Sequence, residues 1–369
     1  MNAPSRTTFP LALALLVLLA PVTHALIFVS TSDPNFNTTP PGGALTNSGW
    51  QWQGAWGEFL GTPIGPHHFI TAAHVGGSIT ELFRLNGVDY QPVATFADPE
   101  ADLRIWQING TFPSYAPMYR GSNEVGRPLV VFGRGAGRGA EVLVTNGATM
   151  KVQGWRWGAN DGRLRWGENI VTEIQTEDPG IGSLLRVAFD ATAGVNEAHL
   201  AGGDSSGAVF IQEAGVWKLA GMNYAVDSAF SHSSSGEWFA AALFDMGGLF
   251  VGDSTNWQLV ANRITDIPSA FYATRISRRA AWIDCVLTNT AGTDSPLRLL
   301  STQRMGTDLA VQFTTMAGCR YQLQSSDTLQ DGSWVNRGGA ITGTGNPMTA
   351  LDAGGGTASR RFYRIRVLY

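Results

Sequence analysis

Apolar residues in this chain come in short bursts, and the breaks between bursts are filled with glycine, asparagine, aspartate and proline. Phe69-Ile70, Leu103 to Ile108, Leu129 to Phe132, Val142 to Val144, Leu184 to Phe189 and Ala208 to Ile211 are all of this kind. Such runs suit strands and are too short for ordinary helices, so Gly49 to about Val251 reads as many short strands at fairly even spacing. Asn86-Gly87, between two apolar runs, is a two-residue hairpin turn, because both residues tolerate the positive φ that the turn demands. The pattern predicts a β-barrel or sandwich, with 45 glycines available for turns. One helix is expected close to residues 269–286, where Ile276, Ala280, Ile283 and Leu287 recur at helical spacing behind Pro268.

The two ends read differently. Arg6, the unbroken apolar run Leu11 to Ala20, Pro21 and the small residues Thr23 and Ala25 have the layout of a secretory signal cleaved after Ala25. That run is too short to cross a bilayer, which takes about 20 apolar residues. A secreted protein, extracellular or periplasmic, with no membrane span in the mature chain is therefore expected. Near the other end, Thr288 to Ser301 has the composition of a linker. Beyond it, Leu309, Val311 and Phe313, then Cys319, Tyr321 and Leu323, then Tyr363, Ile365 and Val367 alternate with mostly polar or small residues. The expected organisation is a signal at 1–25, a main domain at 26–287, a linker at 288–301 and a small all-β module at 302–369.

Composition narrows the partners. A net charge of -4, with only 15% charged residues, leaves no basic excess for gripping phosphates, so nucleic acid is not an expected partner. Cys285 and Cys319 are free to pair in an exported chain, but two cysteines are too few for a disulfide framework and too scattered for a zinc site. No metal or cofactor is implied. Gly133-Arg134-Gly135-Ala136-Gly137-Arg138-Gly139 has the glycines of a phosphate loop but lacks the Lys-Ser/Thr ending, and reads as a turn. His67-His68 has no third ligand nearby and reads as a hairpin turn. Trp155, Trp157 and Trp166 around Asn160-Asp161-Gly162 read as a hairpin packed on the barrel, with an aromatic binding face as the alternative.

Three short stretches carry chemistry. In Gly203-Asp204-Ser205-Ser206-Gly207 the glycines let successive N–H groups turn toward one point. Donors at Gly203 and Ser205 would then hold the oxygen of a tetrahedral intermediate while Ser205 attacks. Phe69-Ile70-Thr71-Ala72-Ala73-His74 sets an imidazole at a strand end, free to take a proton. Ala101-Asp102-Leu103-Arg104-Ile105-Trp106 puts an aspartate at the head of an apolar strand. Singly, each has a plain reading: a loop, a surface or core histidine, a strand-capping acid.

Taken together, in the order His, Asp, Ser, they resemble the chymotrypsin or trypsin-like serine peptidase family. Thr71-Ala72-Ala73-His74 is similar to its histidine motif and Gly61-Thr62-Pro63-Ile64 to the strand before it. Gly203 to Gly207 is similar to the serine motif, with Ser206 where glycine is usual. Leu219-Ala220-Gly221-Met222 resembles the following strand, and Ala273 to Ser277, running into Ala281-Trp282-Ile283, the closing helix. The resemblance spans roughly residues 50–287. It implies an all-β, double-barrel fold of the chymotrypsin type with one C-terminal helix, a protein or peptide substrate, and a triad of Ser205 as nucleophile, His74 as base and Asp102 as its orienting partner. It also implies that a freed N-terminal amine pairs with Asp204, and cleavage after Ala25 would leave Leu26-Ile27-Phe28 as that end; the alternative is an Asp204 satisfied internally.

The departures bear on specificity. The family's cysteine after the histidine is replaced by Val75, and its Ile-Val-Gly-Gly start is absent. The cleft wall is Asn223, Tyr224, Ala225 and Val226. The residue six before the nucleophile, which sets charge preference in the family, is His199. The expected pocket is therefore His199, Tyr224 and Val226, without a preference for Lys or Arg. The C-terminal module is similar to small β-sandwich appendages on exported bacterial proteins, which would bind a surface or a substrate. Two rivals remain: a non-catalytic binding protein on the same fold, and an esterase of the α/β-hydrolase type, whose Gly-x-Ser-x-Gly elbow fits Gly203 to Gly207 but needs His232 as its histidine.

Overall fold

The computed structural model describes residues 25–146, 149–253, 256–290 and 296–369. Apart from Ala25, the expected signal falls outside the described residues, as does the middle of the expected linker at 291–295. Among the described residues the architecture is all-β of the chymotrypsin type, a closed barrel beside a curled seven-stranded sheet with one long helix, followed by further sheets.

Six strands close the first barrel, in the order Gly54–Trp56, Phe59–Gly65, His68–Thr71, Arg104–Asn109, Val88–Ala97 and Phe83–Leu85. Its interior is aromatic. Trp56, Phe69, Phe83 and Trp106 are buried together, and Phe69 stacks on Phe83 with ring centroids 4.0 Å apart. Each such side chain contributes about 2–3 kcal/mol by leaving water. Asn86 and Gly87 take φ of 51° and 82° and make the expected tight turn.

The second unit is a seven-stranded antiparallel sheet in the order Arg165–Ile170, Pro128–Gly133, Ala208–Glu213, Val216–Val226, Ala270–Arg275, Gly182–Ala188 and Glu173–Asp178. It curls back on itself. The Thr172 N–H donates to Arg186 O at 2.9 Å and Asn169 Nδ2 to Ala188 O at 3.0 Å, joining the end of the first strand to the sixth. Val131, Leu185, Val209 and Phe271 fill the space within. Between the two units runs a shared core, in which Leu60, Ile70 and Leu103 meet Phe132, Phe210, Met222 and Ile283.

The helix runs over Ile276–Thr290, so the expected span of 269–286 is corrected at its start. Ala270–Arg275 is a strand paired on both edges, with Gly182–Ala188 and with Val216–Val226. A central strand buried on both faces carries the same apolar content as a helix entry, and Pro268 precedes the strand. Arg279 on the helix holds the wholly buried Asp98 carboxylate by two 2.7 Å bonds. The Asp98 backbone N–H in turn donates to Leu103 O at 2.9 Å, so the helix braces the loop that carries Asp102.

Strands Ala136–Asn146 and Thr149–Asn160 pair as a long hairpin, with Ala241–Leu243 along its edge. The Gly133 to Gly139 stretch is thus mostly strand rather than turn. Beyond the helix, Leu299–Met305, Asp308–Phe313 and Met348–Asp352 form one three-stranded sheet, and Val335–Thr342, Arg320–Ser326 and Phe362–Leu368 another. They enclose Val311, Phe313, Tyr321 and Leu323 together with Cys285 of the helix, which is disulfide-bonded to Cys319. Tyr369 reaches back to Phe96 of the first barrel, ring centroids 4.8 Å apart. Among the described residues, no helix is long and apolar enough to cross a membrane.

Candidate active site

The strand His68–Thr71 is buried along its whole length, and the chain leaves it at the rim that faces the second unit. Successive amides then point to different partners. Ala72 N–H donates to Ser206 Oγ (2.9 Å), Ala73 N–H to Asp102 O (3.3 Å) and His74 N–H to Asp102 Oδ1 (2.8 Å). Asp102 Oδ2 takes the ring of His74 at Nδ1, 2.6 Å away. A carboxylate can only accept, so Nδ1 carries the proton of this bond and Nε2 is the ring nitrogen left for other partners. The Asp102 side chain is 8% exposed and that of His74 37%, so the pair has a dry side and a side open to the cleft.

Ser205 lies in the turn that enters the strand Ala208–Glu213. Asp204 N–H donates to Ala201 O (3.1 Å), Ser206 N–H to Asn223 O (2.9 Å) and Gly207 N–H to Asp204 O (3.2 Å). Among the described residues, the N–H groups of Gly203 and Ser205 have no acceptor. Engaged and free donors alternate, which leaves two free N–H groups flanking the serine. Gly203 has φ of 94°, which glycine adopts without steric cost. No hydrogen bond joins Ser205 Oγ to His74 among the described residues; such contacts often tighten only when substrate is bound. The Tyr224 ring links them, standing edge-on to the His74 ring at 5.7 Å and lining the same cavity as Ser205.

Beneath the turn, Asp204 is 1% exposed. Its carboxylate accepts from Gly135 N–H (2.7 Å) and Ala201 N–H (2.8 Å), and the Leu26 amide also faces it. Burial dominates these bonds and pushes its pKa up to about 7. Gly135 is obligatory here, since a Cβ would come within 2.4 Å of Gly202 O and 2.5 Å of Asp204 N. That close approach, rather than a phosphate, accounts for the glycine-rich stretch.

A cavity of about 230 Å³ opens beside Ser205, walled by Trp157, Leu200, Ala201, Tyr224, Ala225 and Val226, with Asn223 and Ser228 as its polar groups. Among the described residues, no charged side chain lines it. Of the three residues expected at the pocket, Tyr224 and Val226 line this cavity, whereas the expectation for His199 is corrected. Ala198–His199 pairs with Ile27–Phe28, which turns the His199 ring into the core between Phe189 and Phe271, at 5.4 and 6.0 Å. Fully buried, with its pKa lowered by loss of hydration, it is a neutral core residue behind the pocket. A larger cavity of about 650 Å³ near Phe189, Phe244 and Asp190 lies away from Ser205 and is not lined by Ser205, His74 or Asp102.

Sequence reasoning missed Trp157 as a cavity wall. Its ring lies on Gly202, where a Cβ would be 2.9 Å from the indole, and its backbone N–H donates to Ala240 O at 3.0 Å. It also missed Asn223, whose buried amide donates to Phe132 O (2.8 Å) and Asp204 O (2.9 Å) and so pins the serine turn to the sheet. The α/β-hydrolase alternative is excluded, because Ser205 leads into an antiparallel strand rather than a helix. His232 stacks on Phe239 at 5.0 Å in another loop. Among the described residues, no three metal-ligating side chains converge.

No protein-family model matches this chain. No curated protein matches it either. Among solved structures, neuropsin, a serine protease expressed in the limbic system of mouse brain, is similar over 65% of this chain and 96% of its own, with a TM-score of 0.40 and 14% identity. The fold described above stands on its own strand order and register.

Proposed function

We propose that this chain is an exported serine endopeptidase working through Ser205, His74 and Asp102. The observation that carries the reading is the pair of free N–H groups at Gly203 and Ser205, flanking a serine whose turn bonds to the loop of an Asp-held histidine. A purely binding protein has no use for that combination.

In the proposed reaction His74 Nε2 takes the Ser205 proton as Oγ attacks the peptide carbonyl. Asp102 holds the ring and stabilises the imidazolium without itself taking the proton. The oxyanion forms between the amides of Gly203 and Ser205, and each such donor is worth roughly 3–4 kcal/mol at the transition state. His74 then passes the proton to the leaving amine, and water hydrolyses the acyl-enzyme by the reverse roles. The side chain preceding the cut would occupy the uncharged cavity walled by Trp157, Tyr224 and Val226, which disfavours Lys and Arg. We assign the peptidase unit to Leu26 through the end of the helix at Thr290, and the following module to attachment or substrate localisation.

The test is covalent. A fluorophosphonate probe should label wild-type protein on Ser205, and peptide hydrolysis should disappear with labelling. Hydrolysis that survives in a folded Ser205→Ala variant would refute the assignment.

A further inference from the structure

We infer that Ser206 is a positioning residue for this chemistry, its hydroxyl being the acceptor that holds the histidine loop of the first barrel against the serine turn of the second unit. The inference rests on the peptidase reading above and concerns a residue that reading leaves without a role.

Three observations carry it. Ser206 has φ of 64°, a left-handed conformation that glycine adopts freely and a serine does not. Such strain persists only where the surroundings compensate it. Its side chain is fully buried, and Oγ accepts the Ala72 N–H at 2.9 Å. Ala72 is itself fully buried, so without that oxygen its amide would face the interior unpaired. Finally, the bond divides the labour of the loop. The amides of Ala73 and His74 both go to Asp102, which makes His74 and Asp102 one rigid unit within the first barrel. Asp102 N–H donates to Ile181 O at 3.2 Å, far along the sequence from the serine, whereas the amide of Ala72 crosses to the second unit at the residue next to Ser205. The apolar core between the units is non-directional; the Asp102–Ile181 bond fixes the aspartate end of the unit, and the 2.9 Å bond one residue from the nucleophile fixes the end that carries His74. The same burial removes Ser206 as a reserve nucleophile.

Ser206→Gly is the discriminating variant, because glycine relaxes the backbone while deleting the acceptor. Ser206→Ala deletes the acceptor and keeps the strain. Both should lower kcat and the rate of fluorophosphonate labelling at Ser205 roughly 10- to 100-fold, the scale expected from a misplaced catalytic group. KM should stay within about twofold, because the cavity is untouched. The Ala72 amide, protected from hydrogen exchange in the wild type, should exchange faster by about tenfold or more. A folded Ser206→Gly protein with wild-type kcat and labelling rate would overturn the inference, even if its melting temperature changed. Failure of the wild type to label at Ser205 would strike down the peptidase reading instead. Ala72 exchange then decides the latch alone, and unchanged exchange in Ser206→Gly refutes it.

Discussion

Freeing the amine of Leu26 should both stabilise the protein and switch on its turnover, and the size of the effect follows from Asp204. In the uncut chain this carboxylate is buried among amide donors, and its pKa is raised from 3.8 to about 7. A raised carboxylate pKa means that the folded chain holds the extra proton. Its contribution to stability is full below about pH 4 and is lost as pH climbs through about 7. Roughly three units correspond to a cost on the order of 4 kcal/mol for keeping the charge inside at alkaline pH. Cleavage after Ala25 would replace the Leu26 amide, which already faces Asp204, with an ammonium. It would also remove the carbonyl that makes the Leu26 φ of 53° unfavourable, a relief on the order of 1 kcal/mol.

The ammonium must itself be desolvated, so the net gain at pH 8 should be smaller, about 2–3 kcal/mol. For a unit of this size that is a rise in Tm of roughly 5–10 °C. The comparison is between protein beginning at Leu26 and protein carrying Gly-Ser ahead of it, melted from pH 5 to pH 9 and assayed for peptide turnover in the same buffers. The extended form should lose stability as pH rises toward 8. The form with a free amine should hold through neutrality and weaken only as the amine deprotonates. Asp204→Asn should erase the difference. Equal Tm and equal turnover for the two forms at pH 8 would refute the reasoning and leave Asp204 satisfied by Gly135 and Ala201 alone.

Ser205→Ala or His74→Ala should each reduce turnover about a million-fold in a protein that still folds, measured as kcat on a peptide substrate. Profiling on a peptide library should show uncharged side chains before the cut, and Trp157→Ala, which removes a cavity wall, should shift the preference toward larger ones; dominant cleavage after Arg would contradict the uncharged cavity. Truncation after Thr290, with Cys285→Ser, should lower the melting temperature by several degrees, since it strips the disulfide and the Tyr369–Phe96 contact. Turnover per folded molecule should survive truncation, because no residue of the proposed triad lies beyond the helix.

What could be read in one dimension was whatever depends on periodicity or on residue chemistry in fixed order. The run Leu103 to Ile108 reads as a strand because Leu103, Ile105, Trp106 and Ile108 form a short apolar burst interrupted only by Arg104 and Gln107. His74, Asp102 and Ser205 stood out because proton relay and acyl transfer need those side chains at strand ends. The failures all lie where distant segments pair. His199 faces the core because the short strand Ile27–Phe28 pairs with Ala198–His199, and no local pattern announces a two-residue strand. Trp155 and Trp157, two apart, would share a face of a regular strand, but a register shift between them re-aims the second over Gly202. The helix start was misplaced because Ala270–Arg275 fills a gap between two strands that come from elsewhere in the chain. Ser206 looked like a minor departure at a glycine position, and its meaning appears only opposite the Ala72 amide, 134 residues away. The candidate catalytic residues are thus legible from their types, whereas the residues packed around them are legible only from their partners.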